Sequence, residues 1–403
     1  MISKIATITA QFLKLYMTER KETDFHENTT KLKCLADIFA QYGGLLGKLS
    51  QMLSLNNSTI NSVFADCKPY SQEETTVYFK GLIQQNVLDF LDYISDVDYN
   101  VFKAGSVGQL YKSKLKSPIN GVSDIVIKIQ YVGLKKQFDE DLYVVRMITK
   151  FLYNFFDKKT EDEIISKLYE ELDYTIEYNN QITMYELWKD DPEIFIPKLI
   201  EPLCNKEILT SEFIQAESIC DFIDNSTQEQ RDKIGMNIYR FIYTNFIKHG
   251  LFYSDIHYGN FLIRNKTELI IIDFGCVNKL DDDLIENILS LQSSVMTDNK
   301  DHFFETVSKM NILTSATSQE SKEYMWEYFS LQLQPQLNNN FTFTEDWLDK
   351  VTNKDMLLMK EWNLPANCAY LNKLNYGFPH VLTKLKTSGD TMKVFCDIII
   401  SCI

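Results

Sequence analysis

The stretch "FYSDIHYGNFLIRNKTELIIIDFG", residues 252–275, constrains the chain more than any other. Asp255 and Asn260 stand five apart, as D-x-x-x-x-N, and Asp273 heads a D-F-G eighteen residues after Asp255. "LIIID" (269–273) is an apolar strand ending in a carboxylate, and "FLI" (261–263) reads as its hairpin partner. Such a hairpin carries Asp255 and Asn260 in its entry loop and Asp273 at its exit, so the three side chains gather near one point. Asp and Asn offer hard oxygen atoms to Mg²⁺, and a separate Asp can accept a proton or orient a nucleophile. Phosphoryl transfer needs this set. Each half of the pattern is weak alone; order and spacing make the pair specific. The plain alternative is a solvated turn followed by an edge strand. His257 has no second His nearby and reads as a structural hydrogen-bonding residue rather than a metal ligand.

Upstream residues fit the same chemistry. Lys128, in "IVIKIQ", is placed as a strand lysine that donates to the α/β-phosphates of a nucleotide. Alone it would be an outward-facing strand lysine. "AGSVGQ" (Ala104, Gly105, Ser106, Val107, Gly108, Gln109) is a small-residue turn between two strands. Its backbone N–H groups can come close to phosphates; by itself it would be an ordinary hairpin loop.

Three regions follow from the periodicity of 403 residues. Residues 1–97 look helical. Residues 98–215 form a small β-rich lobe with inserted helices. Its strands are "VFKAGSVGQLYKSKL" around a glycine turn, "DIVIKIQYV", "IFIPKLIEPL" and "EILTSEFI", with a turn at "SPING" (117–121) and helical pattern over 134–191. Residues 216–403 are mainly helical. Ser226 with Glu229 has the capping-box pattern, Ile234, Ile238, Phe241 and Ile242 share a helix face, and Gly250 is a stop.

The net charge of −15 argues against a nucleic-acid or anionic-membrane surface. Eight irregularly spaced cysteines without a C-x-x-C pair read as reduced thiols of an intracellular protein, not a zinc site or disulfide frame. No stretch is a clear membrane span or targeting segment; "VFCDIIISCI" is short and contains Asp397.

Taken in order, these motifs resemble the UbiB (aarF-domain, ADCK or ABC1) atypical kinase-like family, over roughly residues 35–285. "KLSQ", Lys48 to Gln51, is similar to its K-x-G-Q; "AGSVGQLYKSKL" to its Ala-rich nucleotide loop; "VIKIQYVGL" to its strand-lysine segment. "ELDYTIEYNN" (171–180) is similar to its E-x-D helix, "FYSDIHYGNFLI" to F-H-A-D-x-H-P-G-N-x-L, and "IIIDFG" to its D-F-G strand. The resemblance implies an α+β, bilobal protein-kinase-like fold with a small β-rich N-lobe, a helical C-lobe and an N-terminal helical extension. It implies Lys48 held near Glu171 and Asp173 over the active site, with Gln51 in the same family-specific regulatory set, and Glu177 as the ion-pair partner of Lys128, with Glu140 as the rival. It implies ATP and Mg²⁺ as cofactors, Asn260 and Asp273 as metal ligands and Asp255 as catalytic base or water-positioner. A link to ubiquinone or isoprenoid lipid metabolism and a mitochondrial or membrane-associated setting also come by resemblance alone.

The chain departs from the family pattern at Ser50, Lys103, Gly105, Tyr253 and Tyr258. No A-P-E follows D-F-G, and Ser254 stands where a phosphate-reading Arg would precede Asp255. ATP hydrolysis, or phosphorylation of a small or lipid-like molecule, is therefore expected ahead of peptide phosphorylation. A Ser/Thr protein kinase and a non-catalytic nucleotide-switched binding module are the alternatives. Residues 285–403 show no chemistry in the sequence.

Overall fold

The computed structural model describes residues 90–402 except 99, 106, 132, 152–164, 167–168, 171, 353–355, 360 and 364–368, together with residues 7, 8, 10, 11, 14, 38, 73, 76 and 77. The chain divides into two units. One comprises residues 1–179 and 198–214, the other residues 180–197 and 215–403. Most of the expected helical leader, with Lys48 and Gln51, lies outside the described residues.

The first unit is built on an antiparallel sheet. Its strands run in the order Ile94–Val97, Gly108–Ile119, Val122–Gln130, Ile208–Glu212, and Lys103–Ala104 pairs with Gly108–Ile119. Alternation assigns the faces. Tyr111, Ile125, Ile127, Ile129 and Ile208 are buried in one core cluster, while the alternate residues carry Lys128. Leu110, Lys128 and Leu209 are cross-strand partners, so the lysine sits on a central strand. The turn expected at 117–121 is shorter: strand pairing continues to Ile119 opposite Val122, and only Asn120 (φ 51°) and Gly121 (φ 82°) turn. Asn-Gly takes left-handed φ at both central positions, which matches the strand twist. A second correction concerns "IFIPKLIEPL". Only Ile194–Phe195 is strand there, and Glu201–Leu203 is a 3₁₀ turn, because Pro197 and Pro202 cannot donate to a ladder.

The second unit is organised by the helix Gln228–His249. Its capping box is Thr227 with Gln230, one residue beyond the expected Ser226 and Glu229. Thr is itself a cap residue, and Gln230 closes the box from the third helical position. Gly250 ends the helix in the left-handed region at φ 61°. Ile234, Ile238, Phe241 and Ile242 are buried in the large core. The chain then enters the strand Leu251–Tyr253 and the hairpin Phe261–Arg264/Glu268–Ile271, whose register pairs Leu262 with Ile270. Ile194–Phe195 adds in parallel to Glu268–Ile271, and Glu217–Ser218 pairs with Phe261–Arg264. After Gly275, Val277–Lys279 pairs back onto Leu251–Tyr253. Beyond it lie the helices Asp282–Met296, Lys300–Lys309, Gln319–Gln332, Ala369–Leu385 and Thr391–Ile400. No helix among the described residues is long and apolar enough to cross a membrane.

Candidate active site

In the first unit, the Lys128 ammonium donates to both carboxylate oxygens of Glu177, at 2.8 and 2.7 Å. The side chains are 20% and 7% exposed, so the pair is largely shielded from water. Lys128 comes from the strand Val122–Gln130 and Glu177 from the first turn of the helix Tyr174–Trp188. Glu140 lies in the helix Leu134–Phe151; the carboxylate seated on the lysine is that of Glu177. The same ammonium stands 5.0 Å from the ring centre of Tyr174.

Tyr174 has a second contact. A Cβ on Gly108 would lie 2.7 Å from the Tyr174 hydroxyl and would also collide with the Ile129 carbonyl oxygen. The glycine turn therefore presses directly on the strand that carries Lys128. Within the turn, the Gly105 amide donates to the Gly108 carbonyl at 2.8 Å, and the Tyr131 hydroxyl donates to the Gly105 carbonyl at 3.0 Å. Ala104 pairs with Gln109 across the turn, and the Val107 carbonyl accepts from the Tyr131 amide. The Gln109 side chain is buried and donates to the Tyr111 hydroxyl. Ser106 lies outside the described residues.

In the second unit, the Asn260 side-chain amide donates to the Asp255 Oδ2 at 2.9 Å and to the Asp255 carbonyl at 3.0 Å. His257 Nδ1 accepts from the Gly259 amide at 3.0 Å, which leaves the ring proton on Nε2, 3.5 Å from Asp255 Oδ2. Asp273 has φ 70°, a strained setting for a residue other than glycine. Its Oδ1 accepts from the Gly275 amide at 3.2 Å, and the Ile272 amide donates to the Asn260 carbonyl at 3.0 Å. The hairpin thus ties Asn260 to the residue before Asp273.

Tyr253 is fully buried and donates its hydroxyl to the Asp273 carbonyl at 3.0 Å, with its ring edge-on to Phe274. Burial first, then the charges of Asp255 and Asp273, pushes its hydroxyl well above the ordinary value of 10.0. It therefore remains a neutral donor and braces the D-F-G backbone. From the helix Tyr174–Trp188, Asn180 donates to the Phe274 carbonyl at 2.9 Å. Both Ser254 donors, amide and hydroxyl, reach the Cys276 carbonyl.

Of the remaining expected residues, Asp173 caps the helix that carries Glu177. Its Oδ1 accepts from the Thr175 amide and hydroxyl at 3.1 and 2.6 Å, and its Oδ2 lies 3.2 Å from the Lys206 ammonium. Burial pushes its carboxyl up, but these hydrogen bonds and the Lys206 charge outweigh it and hold it below the ordinary 3.8. Glu171 lies outside the described residues. Tyr174, Asn180 and Tyr253 do not stand out in the sequence as site residues. Only Tyr253 carries a signal there, as a departure from the family's F-H-A-D-x-H-P-G-N-x-L pattern two residues before Asp255.

The donor set bears on a divalent cation. Asn260 presents its nitrogen end to Asp255, so its oxygen end carries the lone pairs that a hard cation takes; Asp273 adds a carboxylate. Among the described residues no three His, Cys, Asp or Glu side chains cluster as a metal cage. One amide and one carboxylate suit Mg²⁺, which keeps waters and binds phosphates for its other positions.

Three comparisons bear on this arrangement. The ABC1 atypical kinase-like domain matches residues 62–307. Similar curated proteins include the probable serine/threonine-protein kinase abkB of Dictyostelium discoideum, 28% identical over 276 residues, covering 62% of this chain and 40% of the relative. The probable protein kinase UbiB of Histophilus somni is 24% identical over 317 residues, covering 73% and 57%. The chloroplastic ACTIVITY OF BC1 COMPLEX KINASE 8 of Arabidopsis thaliana is 27% identical over 236 residues, covering 55% and 30%. The chain thus spans between 30% and 57% of the length of these relatives. Among solved structures, the Mycobacterium tuberculosis protein Rv3197 in complex with erythromycin superposes with a TM-score of 0.67 at 21% identity, covering 82% of this chain and 84% of that one. That likeness speaks for the fold alone, which is α+β, bilobal and kinase-like.

Proposed function

The chain belongs to the ABC1 atypical kinase-like family, which includes the UbiB and ADCK proteins, and from that premise we propose that it binds Mg-ATP and hydrolyses it or passes its γ-phosphoryl group to a small or lipid-like acceptor. The observation that carries this reading is the Lys128–Glu177 pair. Taking these two charges out of water offsets most of what their attraction gains, so stability alone is a weak reason for the pair. In protein kinases such a pair orients the lysine toward nucleotide phosphates.

In this reading Lys128 donates to the phosphates and Glu177 holds it in place. Residues 98–215 act as a nucleotide-binding lobe, with the backbone of the 104–109 turn lying over the phosphates. Residues 216–403 supply Asp255, Asn260 and Asp273. Asn260 and Asp273 hold the cation, whose charge offsets that of the phosphoryl oxygens when it is bound. Asp255 is oriented by Asn260 and accepts the proton of the attacking hydroxyl or water. Lys48, Gln51, Glu171 and Asp173 form the family-specific regulatory set.

A small or lipid-like acceptor is favoured over a peptide by the chain after D-F-G. Val277–Lys279 pairs at once with Leu251–Tyr253, and a helix begins at Asp282, so few residues are left to dock a peptide. A role in ubiquinone or isoprenoid lipid metabolism, in a mitochondrial or membrane-associated setting, belongs to the same proposal. The test is ATP consumption and transfer of γ-labelled phosphate by the purified chain, with Lys128→Met and Asp255→Asn beside it. Turnover should fall about 100-fold or more in each variant, the scale on which a central electrostatic or proton-transfer group acts. Equal turnover in all three proteins would contradict the roles of Lys128 and Asp255. Label transfer to a generic peptide, lost in Asp255→Asn, would favour a Ser/Thr protein kinase instead.

A further inference from the structure

The helix Ala369–Leu385 lies beyond residues 62–307 and carries no motif of phosphoryl transfer. It nevertheless meets the loop of Asp255 at two points. At Gly377 its backbone comes so near Ile256 that an added Cβ would collide with the Ile256 carbonyl oxygen and lie 3.3 Å from the carbonyl carbon. Two helical turns on, Lys384 sets its ammonium 4.5 Å from the ring centre of Tyr258. Among the described residues no carboxylate lies within ion-pair distance of Lys384.

The two contacts bracket His257, whose ring is aimed at the Asp255 carboxylate. Phe378, Val381 and Leu382 anchor the helix in the core that also buries Tyr253 and Ile256. Glycine is a poor helix former, and Pro379 gives up a backbone donor two residues later. The sequence carries both at the point where the helix meets the loop, and there the missing Cβ has a steric reason.

We propose that the helix Ala369–Leu385 is a positioning element for the base Asp255: Gly377 fixes Ile256, Lys384 holds Tyr258, and together they keep the 255–260 loop in one conformation. This rests on the reading of Asp255 as the catalytic base. Gly377 and Lys384 are positioning residues, because neither touches the reacting atoms.

The experiment compares Gly377→Ala, Lys384→Met and Lys384→Arg with the unaltered chain by hydrogen exchange and by Mg-ATP turnover. The amides of His257, Gly259 and Asn260, all bonded within the loop, should exchange about 10-fold faster in Gly377→Ala and Lys384→Met. Amides of the helix Gln228–His249 should keep their rates. Lys384→Arg retains the cation on the ring and should behave as the unaltered chain. kcat should fall about 10-fold in the first two variants with KM within about twofold, since a displaced base costs rate rather than binding. Unchanged loop exchange in the folded variants, or a loss that Lys384→Arg shares, would overturn the proposal. Should Gly377→Ala fail to fold, the two Lys384 variants decide it. An unaltered chain that turns over no ATP would remove the phosphoryl-transfer reading itself, and the base-positioning role with it. Turnover that Lys384→Met and Gly377→Ala leave intact would remove only the positioning role.

Discussion

Gly108 and Gly105 flank the same turn and differ in the room they have. A methyl at Gly108 would strike the Ile129 carbonyl and crowd the Tyr174 hydroxyl, whereas at Gly105 the nearest atom is the Gly108 carbonyl oxygen at 3.4 Å. Overpacking against backbone costs about 1–3 kcal/mol. Gly108→Ala should therefore lower the unfolding midpoint by several degrees, and Gly105→Ala should leave it within about a degree. Thermal unfolding of the two variants checks this; equal midpoints would contradict the tight seat of Gly108. Neither glycine's role was legible in the letters "AGSVGQ", which show a small-residue turn but not what lies above it. Asp255, Asn260 and Asp273 were legible because their spacing is local to one hairpin. Lys128 and Glu177 are 49 residues apart, and only the resemblance named them as partners. Tyr253 reads as a departure from the family pattern in sequence, yet its hydroxyl bonds the Asp273 carbonyl and so braces the D-F-G backbone.

The element that aims Asp273 is the strand Glu268–Ile271, and it is held from both sides. Phe261–Arg264 pairs with one edge and Ile194–Phe195 with the other. Asp191 sets the approach to Ile194–Phe195: its Oδ1 accepts from the Glu193 and Ile194 amides, and its carboxylate takes both terminal nitrogens of Arg240 from the helix Gln228–His249. Burial pushes the Asp191 carboxyl up, but Arg240 and the two amides outweigh it and hold it below the ordinary 3.8. A carboxyl lowered on folding contributes its stability fully above the unfolded value and loses it as the pH falls through the folded one. Arg240→Met should therefore cost about 2 kcal/mol at pH 7 and progressively less below pH 3.8. Urea unfolding of both proteins at the two pH values measures it; a cost that does not shrink in acid would contradict the ion pair. Hairpin, helix and glycine stop were all readable at this scale from alternation and periodicity. The capping box slipped by one residue, because Ser226 and Thr227 compete for the same cap. The strand expected across "IFIPKLIEPL" shrank because its prolines take donors out of the ladder, a constraint that hydrophobicity conceals.

At the scale of the molecule, the proposed function divides its residues between the two units. The first supplies Lys128, Glu177 and the glycine turn, and the second Asp255, Asn260 and Asp273. The division of residues 180–197 from their sequence neighbours could not be read from periodicity, because long-range pairing decides it: Ile194 pairs with Leu269, far along the chain. The region after residue 285 showed no motif. The contribution proposed for it rests on two contacts, of Gly377 and Lys384 with the loop of Asp255. The proposed task of both sets is to hold Mg-ATP, and that claim is tested most directly by the thermal unfolding midpoint with and without Mg²⁺ and ATP, beside Asp273→Asn. A ligand at about 100 times its Kd adds about 2.7 kcal/mol, a rise of several degrees for a chain of this size. A rise that requires Mg²⁺ and vanishes in Asp273→Asn is the expected result. No rise at millimolar ATP, or the same rise in Asp273→Asn, would contradict it.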